Sequence, residues 1–318
     1  MHPDHRGGRV PRGRATSFLL AALAIALGAP RAARAQSIEP RLFSNAPIGM
    51  NFLIGGYTHS TGGVLLDPSV PLNDASLTVH STFVGYSRSI AVAGRSAQVL
   101  GVVAYAWLSG EAMVESTGEF RTRDVNGFGD PAVRFAINLH GAPALRMPEF
   151  RDYRQDLVVG VSLQVSAPLG QYDPDRLVNL GTNRWAFKPE FGLSKALGHW
   201  ILEGTGAVNL YTENDDFFGG QHRSQDPIYA VQGHAIYLFP RNIWTALDAT
   251  WYTGGRTTVD GVASDDLQRN WRAGLTTAFP FDRRNSLKVY VSNGVSTRSG
   301  EDFLLAGVAW QHRWGAGL

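Results

Sequence analysis

Seven consecutive odd-numbered positions from residue 157 to residue 169 are apolar: Leu157, Val159, Val161, Leu163, Val165, Ala167 and Leu169. Among the even positions stand Gly160, Ser162, Gln164 and Ser166. A helix turns by about 100° per residue and would scatter such a series around its circumference, whereas a strand puts it on one face. The same period returns in three more places. In 132–140, Val133, Phe135, Ile137 and Leu139 oppose Arg134, Asn138 and His140; in 185–194, Trp185, Phe187, Phe191 and Leu193 oppose Lys188, Glu190, Gly192 and Ser194; in 286–292, Leu287, Val289 and Val291 oppose Lys288, Tyr290 and Ser292. Stretches of about ten residues with one greasy and one polar face mark tilted strands that meet lipid outside and a polar lumen inside.

Weaker segments of the same kind fall at 48–58, 76–89, 97–109, 200–212, 228–239, 243–253, 270–279 and 303–314, which makes twelve strands in all. Their connections alternate in length. Tight turns lie at 93–95, 197–199, 240–242 and 282–285, and long polar segments at 59–75, 110–126, 170–184, 213–227 and 254–269. Short periplasmic turns alternating with longer external loops are the habit of outer-membrane barrels, and an even strand number returns both ends to the periplasm. The connection 141–156, with Pro143 and Pro148, breaks that pattern and is expected to be a long periplasmic turn holding a short helix. The expected fold is all-β: a transmembrane up-and-down antiparallel barrel of about 12 strands occupying residues 36–318.

The N-terminus supports export. Arg6, Arg9, Arg12 and Arg14 precede an apolar run from Phe18 to Leu27, and Ala33-Arg34-Ala35 stands before Gln36, the three parts of a secretory signal. The run is too short for a membrane-spanning helix, so residues 1–35 are read as a cleaved signal peptide and the mature chain is assigned to the Gram-negative outer membrane. Removing six arginines and one aspartate from a chain of net charge +2 leaves a mature charge of −3. A nucleic-acid partner needs a concentrated basic face, and none is visible. With no cysteine, disulfide frameworks and thiolate metal sites are excluded. Closing a barrel, so that every strand is paired, is another source of stability.

The polar faces of these strands supply the candidate pore lining: Arg134, Gln164, Lys188, Glu190, Glu203, Gln232, His234, Asp248, Arg272, Lys288 and Arg313. Two readings stay open. The charges line a solute path, or they form a salt-bridged plug that holds a narrow barrel together. Mixed sign argues against strong ion selectivity, which calls for a ring of one charge. No metal is expected, because Asn214-Asp215-Asp216 and Asp265-Asp266 lack the spacing of a calcium loop. No cofactor is expected either, since the glycine-rich stretches carry no Walker lysine. Neither G-x-S-x-G nor H-E-x-x-H occurs, and the histidines are scattered, so catalytic residues are not assigned and an outer-membrane lipid hydrolase is the minority reading.

Three segments, PLGQYDPDRLVNLGTNRWAFKP at 168–189, GFGDPAVRF at 127–135 and NDDFFGG at 214–220, resemble the outer-membrane family named for the meta-cleavage (MetA) pathway of phenol degradation. The resemblance runs from Pro47-Ile48-Gly49 to Trp314. It implies a barrel transporter whose solutes are small hydrophobic or aromatic compounds, with no catalytic residues and no agreed substrate. Within these segments the external loop between Gly170 and Asn183 offers Tyr172, Asp173, Asp175, Arg176, Asn179 and Asn183 as candidates to constrict or gate the mouth, the alternative being a loop that packs over the rim. The partners expected are outer-membrane lipid and such a solute; a closed envelope-integrity barrel is the rival function. Oligomeric state and direction of transport are not written in the sequence.

Overall fold

A computed structural model of the chain describes residues 39–62, 72–114, 119–298 and 303–318. The signal-peptide assignment at 1–35 lies outside them. The described chain runs β1 (Met50–Gly62), β2 (Leu72–Val92), β3 (Arg95–Val114), β4 (Glu119–Phe128), β5 (Ala132–His140), β6 (Leu157–Ser166), β7 (Ala186–Leu197), β8 (Trp200–Tyr211), β9 (Asn214–Phe217), β10 (Gln221–Gln225), β11 (Ile228–Leu238), β12 (Trp244–Gly254), β13 (Thr257–Val259), β14 (Val262–Ala263), β15 (Gln268–Pro280), β16 (Asn285–Ser296) and β17 (Phe303–Gly315).

Thirteen of these strands form one antiparallel sheet that closes on itself, because β1 pairs with both β2 and β17. β3 pairs with β5 along Ala97–Val102 and with β4 from Tyr105 onward, so β4 and β5 are two halves of one stave broken at Gly129-Asp130-Pro131. The barrel therefore has twelve staves, as the alternation predicts. β9, β10, β13 and β14 make a separate four-stranded sheet from the segments expected to be plain loops at 213–227 and 254–269. The expected loop at 110–126 is largely a continuation of the β3–β4 hairpin.

Burial is inverted relative to a water-soluble domain. Leu247 is 62% exposed, Val133 55% and Phe191 50%, while Arg272 is 1% exposed and His234 and Asp248 are 4% each. A wall that meets hydrocarbon outside and shelters ionic groups within has this arrangement. Aromatic side chains gather outward near both ends, Trp200, Tyr237 and Phe239 with Trp310 and Trp314 at the periplasmic end, and Trp107, Phe128, Trp185, Tyr229 and Trp271 at the other. Such girdles sit at headgroup level.

Two local departures from strict alternation have physical causes. The stave expected to reach Leu169 stops at Ser166 because Pro168 has no N–H to give the ladder, and Leu169 is left 74% exposed. A bulge between Asn138 and His140 pairs His140 with Val159, which turns His140 to the outer face rather than the inner one expected. The long connection 141–156 holds the short helix α1 (Met147–Phe150) and is tied to the barrel end by Ala144 N–H donating to Gly94 O and Ser96 N–H donating to Ala142 O. In the same connection burial pushes the Tyr153 phenol pKa up, and its hydroxyl donates to Gly141 O at 2.8 Å.

Candidate functional site: a lumen with two inserts

The predicted lumenal residues do share the inner face, and most are engaged with one another or with wall hydroxyls. Lys188 Nζ lies 2.8 Å from Glu190 Oε1, and Ser162 Oγ donates to Glu190 Oε2 at 2.7 Å. His234 Nδ1 is 2.7 Å from Asp248 Oδ1, while Thr276 Oγ1 donates to Asp248 Oδ2 at 2.8 Å. Ser194 Oγ donates to Glu203 Oε1 at 2.8 Å. Arg272 donates to Ser292 Oγ at 2.9 Å with its guanidinium 3.5 Å from the Phe303 ring centroid. Gln164 stands opposite both Arg134 and Lys188, and Gln232 opposite Thr205 and Thr250. Lys288 points inward beside Tyr290, and Arg313 reaches the periplasmic rim, where its Nε donates to Arg283 O at 2.7 Å. Charges sheltered from water hold their ionised form only with such partners.

A segment ahead of the first expected strand fills the periplasmic half, and that strand starts at Met50 rather than at residue 48. Residues 39–49 enter the lumen ahead of β1. Glu39 pairs with Arg134, and the backbone N–H of Arg41 donates to Glu203 Oε2 at 2.6 Å. The Arg41 guanidinium sits 5.7 Å from the Trp244 ring centroid. Phe43, 4% exposed, packs with Ala136, Ala142 and Val158. Its ring rests on two lumenal glycines in register, Gly160 and Gly192, where an added Cβ would come within 2.2 and 2.1 Å of ring atoms. Those facing glycines are the trace this insert leaves in the sequence. The insert is tied at its exit by Ile48 N–H donating to Leu145 O at 2.9 Å and Asn45 Nδ2 donating to Pro143 O at 3.2 Å.

A second insert fills the other half. After β6 the chain from Ala167 to Trp185 folds into the mouth, and Val178, 8% exposed, packs with Leu77, Leu108 and Phe303, supported by Val125, Leu177 and Leu180. Asp130 holds this loop: its Oδ1 accepts from Gly170 N–H at 2.9 Å, and its Oδ2 accepts from Thr182 N–H at 2.8 Å and from Thr182 Oγ1 at 2.7 Å. Gly170 passes so close to Asp130 that a Cβ there would lie 2.8 Å from its backbone nitrogen. The sequence gives Asp130 no role of its own; its place after Gly127-Phe128-Gly129 and before Pro131 at a stave break is the signal it offers. Among the described residues β4 pairs only with β3. Along its other side runs the inserted loop, joined by Gln171 N–H donating to Phe128 O at 2.7 Å and Arg123 Nε donating to Val178 O at 3.3 Å.

The six loop candidates divide by role. Asn179 bridges its own loop, donating to Asp173 O and Arg176 O, and Asn183 Nδ2 donates to the buried Asn214 Oδ1 at 2.9 Å. Tyr172 hydroxyl donates to Asp216 O and accepts from Asn214 Nδ2, fastening the loop to the β9–β10 hairpin. Asp173 caps the turn by accepting from Asp175 N–H, while Asp175 and Arg176 are exposed. Beyond the loop, Glu213, Asp215 and His222 bring one donor atom each within 4.8 Å of the others on that hairpin, all three exposed. His312, a rim residue, faces outward and stacks between Trp310 and Trp314.

Comparison with known proteins matches this architecture. The model of the family described as "Putative MetA-pathway of phenol degradation" matches residues 56–311. The crystal structure of the COG4313 outer membrane channel from Pseudomonas putida F1 superposes with a TM-score of 0.73 at 20% identity, over 87% of this chain and all of that one. The β domain of the Bordetella autotransporter BrkA matches with a TM-score of 0.48 at 11% identity, over 84% of this chain and 100% of that domain. No curated protein sequence matches.

Proposed function

Since this chain belongs to the MetA-pathway family and forms a twelve-stave outer-membrane barrel of the channel type, we propose that it passes small apolar, aromatic-sized molecules across the outer membrane without an energy source. The observation that carries the reading is the apolar mouth: Leu77, Leu108, Phe303 and the loop residue Val178 form a greasy lining beside the edge of β4, which among the described residues pairs with no second strand and is met by the inserted loop. An apolar solute entering there sheds its own water while the already buried lining exchanges one greasy contact for another, so the gain is roughly 25 cal/mol per Å² of the solute's apolar area. Water and ions gain nothing from the same lining, and a barrel of this size has little free lumen once side chains fill it. Entry is therefore at the outer mouth, between the β4 edge and the inserted loop, and bulk diffusion as in wide porins is not its mode. Residues 1–35 are removed on export, which places the lumenal Glu39 a few residues from the mature N-terminus.

Flux of an aromatic solute into liposomes tests the reading. Wild-type protein is expected to exceed protein-free liposomes, and deletion of residues 171–183 is expected to raise flux further. Wild-type flux equal to that of protein-free liposomes, with no change on deletion, removes the transport function and leaves the envelope-integrity barrel.

A further inference from the structure

The periplasmic rim carries a hollow of about 580 Å³ outside the lumen, beside the point where the N-terminal insert ends at Ile48 and Gly49. Its apolar floor includes Ile48, Ile90, Met147 and Pro148, and two arginines, Arg88 and Arg146, stand at its edge. Arg88 belongs to the outward-facing series of β2: Val84 and Tyr86 are exposed to the membrane side, Ser87 and Ser89 are buried inside, and Arg88 follows Tyr86 on the outer face opposite Asn51. The Tyr86 ring lies tilted beside Trp314, 6.1 Å between centroids, in the periplasmic girdle, which sets Arg88 just beyond headgroup level. Arg146 comes from the opposite side of the hollow on the connection 141–156. The nearby Glu149 carboxylate is engaged by the Arg146 backbone N–H at 2.9 Å. Among the described residues neither guanidinium is in an ion pair.

An apolar niche at the membrane boundary with two arginines above it has the chemistry of a glycerophospholipid site. The guanidiniums meet the phosphate diester through paired N–H donors, the glycerol backbone lies over the apolar floor, and the acyl chains run along the outer face past Val84. The surroundings match in charge. Arg95, Arg151 and Arg154 are exposed at the same end; of the acids on the connection Asp156 is paired with Lys195 while Glu149 and Asp152 are exposed, so with Arg88 and Arg146 the basic groups stay in excess.

We propose that Arg88 and Arg146 bind the phosphate of a phospholipid of the periplasmic leaflet. Ile48 lines the hollow and is hydrogen-bonded to Leu145, so the bound lipid braces the point where the N-terminal insert leaves the lumen. The inference rests on the barrel lying in the outer membrane and is independent of what the lumen passes.

Native mass spectrometry of the full chain in detergent, with added phosphatidylglycerol, phosphatidylethanolamine, diacylglycerol or inorganic phosphate, tests it. Wild type is expected to retain one copy of either phospholipid but neither diacylglycerol nor phosphate alone. The double variant Arg88→Gln, Arg146→Gln is expected to lose retention by about tenfold or more, as the loss of two charge-assisted contacts implies. Arg151→Gln, Arg154→Gln is expected to behave as wild type. Should the glutamine variant not fold, Arg88→Lys, Arg146→Lys keeps the charge, removes the paired donors and is expected to retain less lipid than wild type. Equal retention by wild type and the Arg88, Arg146 variants, equal loss in the Arg151, Arg154 control, or binding of inorganic phosphate as tight as that of the lipids overturns the proposal.

Discussion

The two inserts close the same lumen by different physics. Residues 39–49 are held by charge: Glu39 against Arg134, and the Arg41 N–H against Glu203. The loop 167–185 offers the lumen Leu177, Val178 and Leu180, and its fastening is a set of hydrogen bonds at its base around Asp130 and Asn214. An apolar solute that meets the loop replaces one greasy contact with another at little cost. The same solute meeting the N-terminal insert would have to separate opposite charges in a sheltered space, and leaving either unpaired is expensive. The outer insert is thus built to yield to apolar molecules and the inner one to resist ions.

The inner seal depends most on Glu39. Glu39→Gln keeps the shape and removes one negative charge among Arg134, Lys188 and Lys288, the three cations that act on it. Loss of one partner of a buried pair costs about 3–5 kcal/mol, and because the Glu39 side chain is 35% exposed the cost here is nearer 3 kcal/mol. The insert is expected to leave the lumen, and ion conductance in planar bilayers is expected to rise several-fold while aromatic flux changes less. Unchanged conductance would mean that the charges do not hold this seal.

Asp130 is the matching lever on the outer insert. Asp130→Ala removes a carboxylate that accepts three hydrogen bonds. Buried hydrogen bonds to a charged group contribute about 1.5–3 kcal/mol net each, and at this half-buried site, where water can reach the donors the carboxylate leaves, a total on the order of 2 kcal/mol is expected. Aromatic flux is expected to rise and ion conductance to stay near wild type while the N-terminal insert is seated. A rise in conductance as large as that of Glu39→Gln would erase the distinction between the two seals.

How much of this was legible in the sequence follows from which physics leaves a periodic trace. Seven alternating positions in 157–169 define a membrane-facing stripe whatever the register, so stave number and the inward set from Arg134 to Arg313 could be read directly. Register is not periodic. Gly160 and Gly192 look like ordinary strand glycines until pairing sets them side by side beneath Phe43, and Glu39 looks like a stray acid until the barrel closes around it. His140 falls on the inner side of the alternation because a bulge, one residue out of step, is invisible to a count of alternations. The inward fold of the 170–183 loop stays open in the sequence for the same reason: Leu177, Val178 and Leu180 are apolar there, but the ties that turn them into the mouth come from Asp130, Arg123 and Asn214, tens of residues away.

A finer probe of the inner seal leaves every charge in place. Gly192→Ala puts a Cβ about 2 Å from Phe43 ring atoms, a distance no real contact tolerates. Either the ring or the strand must give, and overpacking of this kind costs about 1–3 kcal/mol. Glu39 and Arg134 remain to oppose withdrawal, so the insert is expected to loosen rather than leave. Cleavage by an added protease near Arg41 is expected to speed up, with a smaller rise in conductance than Glu39→Gln produces. If Gly192→Ala opens the lumen as fully as loss of the Glu39 charge, packing and not charge is what seats the insert, and the contrast between the two ends of the barrel falls with it.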